Sequence, residues 1–246
     1  MVGAGCPWVP ASAPLDLSDD GVQRPHVVRN TQGETLLYNF RTVEPGVLYR
    51  GSDFTRTPGT GASTGTSDQP VAFQDDQTFT FLRAMNIRQV VSLVPTSDFY
   101  PEEGYLRYWT ERTGYVVMAT SLPVAGDQIY ARNDRSSLHA AAELLDIMQH
   151  HRPQDGAVLV HGEAGKDATG VAAATYELSR STGRADRNAT WHRILQRYLL
   201  SNALLSQPSS AAVPAAQAAC RETVPSYVCA EWLEALHNDL IFLASL

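Results

Sequence analysis

The sequence predicts an α/β fold: a central, mostly parallel, twisted sheet flanked by helices. Two observations carry that expectation. Short apolar runs of strand length recur at 47–50, 87–94, 115–118 and 157–160, rich in Val, Ile, Leu and Tyr. Between and after the later runs lie segments whose apolar residues repeat at the helical period, and alternation of the two element types favours parallel strands joined by helical crossovers. In order, Leu36 to Arg41 reads as extended chain, Pro45-Gly46 as a turn, and Val47 to Arg50 as a short strand. Phe79, Leu82 and Arg83 suit a helix ending near Asn86, and Ile87 to Val94 follows as a buried strand. Asp98 to Glu103, with its proline and acids, reads as a solvated loop, and Gly114 to Thr120 as a further strand. Ser136 to His151 places Leu138, Ala141, Ala142, Leu145 and Met148 on one helical face, with Ser136 or Ser137 as N-cap and Pro153 as the stop. Ala157 to Val160 is the next strand, followed by helices at about 169–181 and 188–205.

The chain has 246 residues, of which 43% are hydrophobic, enough for a substantial core. Residues 1–35 are polar and punctuated by proline and read as an N-terminal arm; residues 36–246 form the domain. Within it, 57–72 is almost wholly Gly, Ser, Thr, Pro and Asp at its centre, a composition that buries no apolar surface and predicts a flexible loop. Residues 206–246 read as a helical lid or C-terminal segment, including an Ala-rich piece at 209–219. The formal net charge of −7, with no concentrated basic stretch, disfavours a nucleic-acid partner. No apolar run reaches the ~20 residues needed to span a bilayer. The first fourteen residues lack a signal-peptide pattern. The expected setting is soluble, cytoplasmic by default and secreted if the chain is a processed form. Three cysteines do not make a disulfide scaffold; Cys220 and Cys229 read equally as a pair or as free thiols.

The most informative segment is Val158-Leu159-Val160-His161-Gly162-Glu163-Ala164-Gly165-Lys166-Asp167-Ala168-Thr169-Gly170. A buried strand ends, a glycine-bearing loop turns and a helix begins. Backbone N–H groups in such a loop, with the helix N-terminus, make a concave patch of positive potential. A nucleotide-binding Walker loop is excluded: it needs a glycine where Val160 stands and a hydroxyl where Asp167 stands.

On these residues the chain resembles the protein tyrosine phosphatase superfamily, in its atypical tyrosine/serine and phosphoinositide branch. That branch carries His-Cys-x-x-Gly-Lys-Asp-Arg-Thr-Gly after a strand, and this chain matches at His161, Gly165, Lys166, Asp167, Thr169 and Gly170. Asn39-Phe40-Arg41 with Pro45-Gly46-Val47-Leu48-Tyr49-Arg50 resembles the branch's opening motif. Tyr198-Leu199-Leu200-Ser201-Asn202 is similar to a later helical motif, with Arg197 where Asp is usual. The resemblance implies a tyrosine-phosphatase-like fold and makes 36–246 a phosphatase-like domain.

The departures bear on function. The branch's nucleophilic Cys falls on Gly162 and its phosphate-gripping Arg on Ala168, and Ser92-Leu93-Val94 stands where Asp-Leu-Arg is usual. Glycine supplies no thiolate and alanine no guanidinium fork, so Cys-dependent phosphatase turnover is not expected. The resemblance implies a general acid at Asp167, although a carboxylate at a helix N-terminus is held ionised and suits a base or acceptor. Asp167 therefore reads equally as a cap alone or as a cap with a functional role. Lys166 reads as a solvated charge or a site residue, and His161 first as a group that orients the loop. Catalytic candidates are Asp167, Lys166 and His161. Ligand-binding candidates are Gly162, Glu163, Ala164, Gly165, Ala168, Thr169 and Gly170 of the loop, with Arg50 and with Asp127, which stands where relatives place a mobile acid loop. No metal site and no cofactor are expected.

Two readings follow. In the first, toward which the retained Lys166-Asp167 tips the balance, the loop pocket is repurposed to bind a small organic molecule. It would run cofactor-free acid/base chemistry there: elimination, isomerisation or cyclisation. In the second the chain is a pseudophosphatase that binds a phosphorylated or other anionic ligand, or a protein partner, without turnover.

Overall fold

The computed structural model describes residues 26–29, 35–53, 76–124, 136–162, 165 and 167–205. The elements in chain order are β1 (His26–Arg29), β2 (Thr35–Glu44), β3 (Leu48–Ser52), α1 (Gln77–Ala84), β4 (Ile87–Ser92), α2 (Thr96–Thr113), β5 (Met118–Ser121), α3 (Ser136–His150), β6 (Ala157–Gly162), α4 (Asp167–Ser179) and α5 (Gly183–Leu205). One six-stranded sheet runs in the order β1-β2-β3-β6-β4-β5. The pairs β1–β2 and β2–β3 are antiparallel, whereas β6 pairs in parallel with both β3 and β4, and β4 with β5. The α/β architecture with a mostly parallel centre is thus the one the alternating pattern predicts. The expected arm contributes β1, and the expected loop at 57–72, Asp127 and the segment 206–246 lie outside the described residues.

Successive side chains of a strand point to opposite faces, and this divides the apolar core in two. Val158 and Val160 of β6, with Leu48 and Val91, pack under α3, α4 and α5 through Ala141, Leu144, Val171, Ala172 and Trp191. Ala157 and Leu159, with Tyr49 and Val90, pack against α1 and α2 through Phe79, Leu82, Tyr105 and Leu106. A strand covered on both faces must be apolar throughout, which is why β6 reads as a continuous apolar run.

Two expectations are corrected: the strand expected over Gly114 to Thr120 begins only at Met118 and runs to Ser121. Asp98 to Glu103 lies inside α2, not in a loop. Pro101 sits early in that helix and Glu102 is one of its buried residues, on the same side as Phe99, Tyr105 and Leu106. A charged residue in the middle of a buried stripe masks the helical period, and a proline beside it reads as a break. Gly114 then ends the helix in the left-handed conformation, with φ of 70°.

Candidate functional site

The loop between β6 and α4 leaves the sheet at its centre, where the carboxyl ends of β3, β4 and β6 lie side by side. The carbonyls at the end of β6 continue the sheet ladder, and that of Gly165 is held by side chains. The His161 carbonyl accepts from the Leu93 N–H at 2.8 Å, and the Gly162 carbonyl accepts from the Asp53 N–H at 2.7 Å and from the Gly165 N–H at 3.3 Å. The Gly165 carbonyl accepts two side-chain bonds, from Asn39 Nδ2 at 2.8 Å and from Arg50 at 2.8 Å.

Gly165 itself adopts φ of 63°. A β-carbon there would collide with the backbone of Gly51, so this position needs glycine both for its conformation and for its closeness to β3. At Gly162 the constraint is different: a β-carbon would stand 2.9 Å from Thr169 Oγ1 and 3.7 Å from the Leu93 β-carbon. Thr169 is 1% exposed, and Ala168 beside it is also buried. A β-carbon on Gly170 would stand 3.4 Å from a terminal nitrogen of Arg50.

Under the loop lies a buried polar layer. Arg41 donates to Asn39 Oδ1 at 2.6 Å and to the Arg197 carbonyl at 2.9 Å, linking β2 to α5. Arg197 in turn pairs with Glu177 at 2.5 Å. Burial first, then the Arg50 and Arg197 guanidiniums, bring the Arg41 pKa down to about 8, which reflects the positive charge concentrated behind the loop. On the other side, His161 Nε2 meets Glu102 Oε1 at 3.0 Å, and Ser92 Oγ donates to Glu102 Oε2 at 3.1 Å. The His161 and Glu102 side chains are fully buried. Burial works to lower the His161 pKa, but the Glu102 charge, its hydrogen bond and the Asp53 charge together raise it above 6.5. The direction favours a protonated ring beside the Glu102 carboxylate.

Asp53, Glu102 and His161 also bring ligand atoms within 4.8 Å of one another, the group of that kind found among the described residues. Within the trio, the His161 ring is bonded directly to Glu102.

The predicted site residues fall into three sets. Gly162, Gly165, Ala168, Thr169 and Gly170 lie together around the loop and the first turn of α4, and Asp167 is the first residue of that helix. Arg50 is bonded to the Gly165 carbonyl, and His161 is buried against Glu102. Glu163, Ala164, Lys166 and Asp127 lie outside the described residues. Sequence reasoning missed Glu102 and Asp53, and saw Ser92 only as a departure from a motif. Asn39 and Arg41 were visible as a motif, and the structure gives them their task.

The model of the tyrosine phosphatase family matches residues 28–238 of the chain. The chain belongs to the tyrosine phosphatase family. Among solved structures it is similar to the core catalytic domain of the PP-IP phosphatase SIW14 from S. cerevisiae, determined in complex with citrate. The identity is 17%, over 81% of this chain and 98% of that one, with a TM-score of 0.41. TpbA from P. aeruginosa is 18% identical over 81% of this chain and 99% of its own, with a TM-score of 0.42. PTPMT1 is 12% identical over 84% and 98% respectively, with a TM-score of 0.44. Comparison with curated proteins gives no match. No helix among the described residues of this tyrosine phosphatase family member is long and apolar enough to cross a membrane.

Proposed function

We propose that this member of the tyrosine phosphatase family is a pseudophosphatase: its 162–170 loop binds a phosphate-like anion without Cys-dependent turnover. The observation that supports the reading is the Gly165 carbonyl, held from the scaffold side by Asn39 and Arg50 at the turn between β6 and α4. Such a backbone favours N–H groups around an anion, and the N-terminus of α4 adds its partial positive charge. The reactive groups are what the loop lacks, if the family's Cys and Arg fall on Gly162 and Ala168. Losing a nucleophile and an electrostatic clamp costs orders of magnitude in rate, whereas backbone N–H binding survives both changes.

The other reading is acid/base chemistry on a small organic molecule. It rests on Asp167, the first residue of α4, and on Lys166 beside it. Of the three catalytic candidates, His161 argues against that reading, because its side chain is fully buried against Glu102.

The test is thermal unfolding with and without phosphate, sulfate, vanadate and inositol phosphates. A ligand at 100 times its dissociation constant adds ~2.7 kcal/mol, or roughly 5–11 °C at this chain length. A rise with the oxyanions, with no release of phosphate from aryl phosphates, supports the pseudophosphatase. No rise with any of them moves the assignment to the repurposed small-molecule site, where Asp167→Asn would abolish turnover.

A further inference from the structure

We infer that the outward face of α2 is a self-association surface, on which a second copy of this chain packs its own α2 antiparallel across a two-fold axis at Gly104. The inference is independent of the anion-binding reading, because it concerns the side of α2 turned away from the core.

α2 buries Phe99, Glu102, Tyr105 and Leu106. With about 3.6 residues per turn, Tyr100, Gly104, Arg107 and Glu111 then line up on the opposite face. Glu103 flanks that line on one side, and Ser97 and Tyr108 flank it on the other. Two observations set this face apart from an ordinary solvated one. Tyr100 is 65% exposed and Tyr108 39% exposed, although both carry large rings. Between them stands Gly104, in a helix interior where glycine is disfavoured unless another backbone must come close. Glu103, Arg107 and Glu111 are exposed as well, and none of them makes an ion pair with a described residue.

The order of these residues points to a second copy. An antiparallel copy reverses the sequence, so with the two Gly104 backbones in contact each Tyr100 comes opposite the partner's Tyr108. Each Glu111 comes opposite the partner's Ser97, whose hydroxyl can donate to it. Arg107 falls two positions along from the partner's Glu103 on the same flank, ~3 Å of helix rise, which an arginine side chain spans. Each contact occurs twice, as a two-fold interface requires. A parallel pair would instead set Arg107 against Arg107 and Glu103 against Glu103. The charges are thus complementary to the same face reversed. The 18 residues of α2 span ~27 Å, so one helix pair belongs with the weak interfaces that bury less than ~1,200 Å² in all.

The test is sedimentation equilibrium of the full chain from about 1 μM to 1 mM. It is run on the parent, Arg107→Glu, Glu103→Arg, the double variant carrying both changes, and Tyr100→Ser. The parent should show a monomer–dimer equilibrium with no larger species. Each single charge reversal brings like charges together and should weaken the dimer about tenfold or more. The double variant restores opposite charges and should return close to the parent, a rescue that loss of fold cannot imitate. Tyr100→Ser should weaken the dimer too. A parent that stays monomeric throughout overturns the proposal and leaves the face to a different partner. A dimer unmoved by both single reversals forms through another surface and overturns it equally. Weakening in both singles without rescue in the double overturns the antiparallel pairing. Circular dichroism checks the fold of each variant; should a charge variant not fold, Tyr100→Ser decides, and unchanged association there contradicts the assignment.

Discussion

The residues described around the 162–170 loop and the layer beneath it differ sharply in chemistry. Around the loop, Gly162, Gly165, Ala168 and Thr169 are all small. The layer beneath holds Asn39, Arg41, Arg50, Ser92, Asp53, Glu102 and His161, all buried and all polar. Burying so many polar groups is tolerated where they are bonded: Asn39 and Arg50 bond the Gly165 carbonyl and Glu102 bonds His161, while Arg41 bonds Asn39 and the Arg197 carbonyl and Ser92 bonds Glu102. The contrast teaches that a loop of small residues is held in shape by large polar side chains that lie far from it in sequence. A fold kept only for a distant surface has no need of such a layer, whereas a loop that binds by its backbone depends on one.

The largest expected effect comes from removing Glu102. Glu102→Ala leaves a buried imidazole without its carboxylate and Ser92 without its acceptor. Breaking one side of a buried pair costs about 3–5 kcal/mol. Urea unfolding measures it, and a loss below ~1 kcal/mol would show that the lower layer does not support the loop. A smaller effect is expected behind Gly165. Arg50→Met removes a charged donor from the Gly165 carbonyl and leaves it with Asn39 alone. The loss should be about 1.5–3 kcal/mol. It should also weaken the stabilisation that phosphate gives, because the carbonyl is then held from one side only.

The smallest effect is one of pH. Because the native His161 pKa lies above its ordinary 6.5, the stability gained from its protonation is complete below about pH 6.5 and is lost as pH rises through the native value. The groups that set this value are Glu102 of α2 and Asp53 at the end of β3, with Ser92 of β4 held on Glu102. In Glu102→Gln the strongest raising charge is gone, so the alkaline decline should shrink and move to lower pH. Unfolding midpoints across pH 5.5–9 check it, and identical profiles for the two proteins would contradict the assignment.

Much of the fold was legible because it rests on local pattern. β6 is apolar at nearly every position, since helices cover both of its faces, and α3 carries a regular stripe. α2 was hidden because its stripe contains Glu102 and its early turns contain Pro101. The loop was legible because its residues are contiguous. Its support was not: Asn39 lies 126 residues from Gly165, Arg50 lies 115 away, and Glu102 lies 59 from His161. Nothing in a local window marks Glu102 as the partner of a histidine, and only the sheet order that brings β3, β4 and β6 together makes the pairing visible.

The most direct measurement is a calorimetric titration of inorganic phosphate into the unmodified protein, run beside an assay for phosphate release from an aryl phosphate. Saturable binding with no release above the uncatalysed rate is the predicted result. Release at an enzymatic rate, or no binding up to millimolar phosphate, would contradict the account.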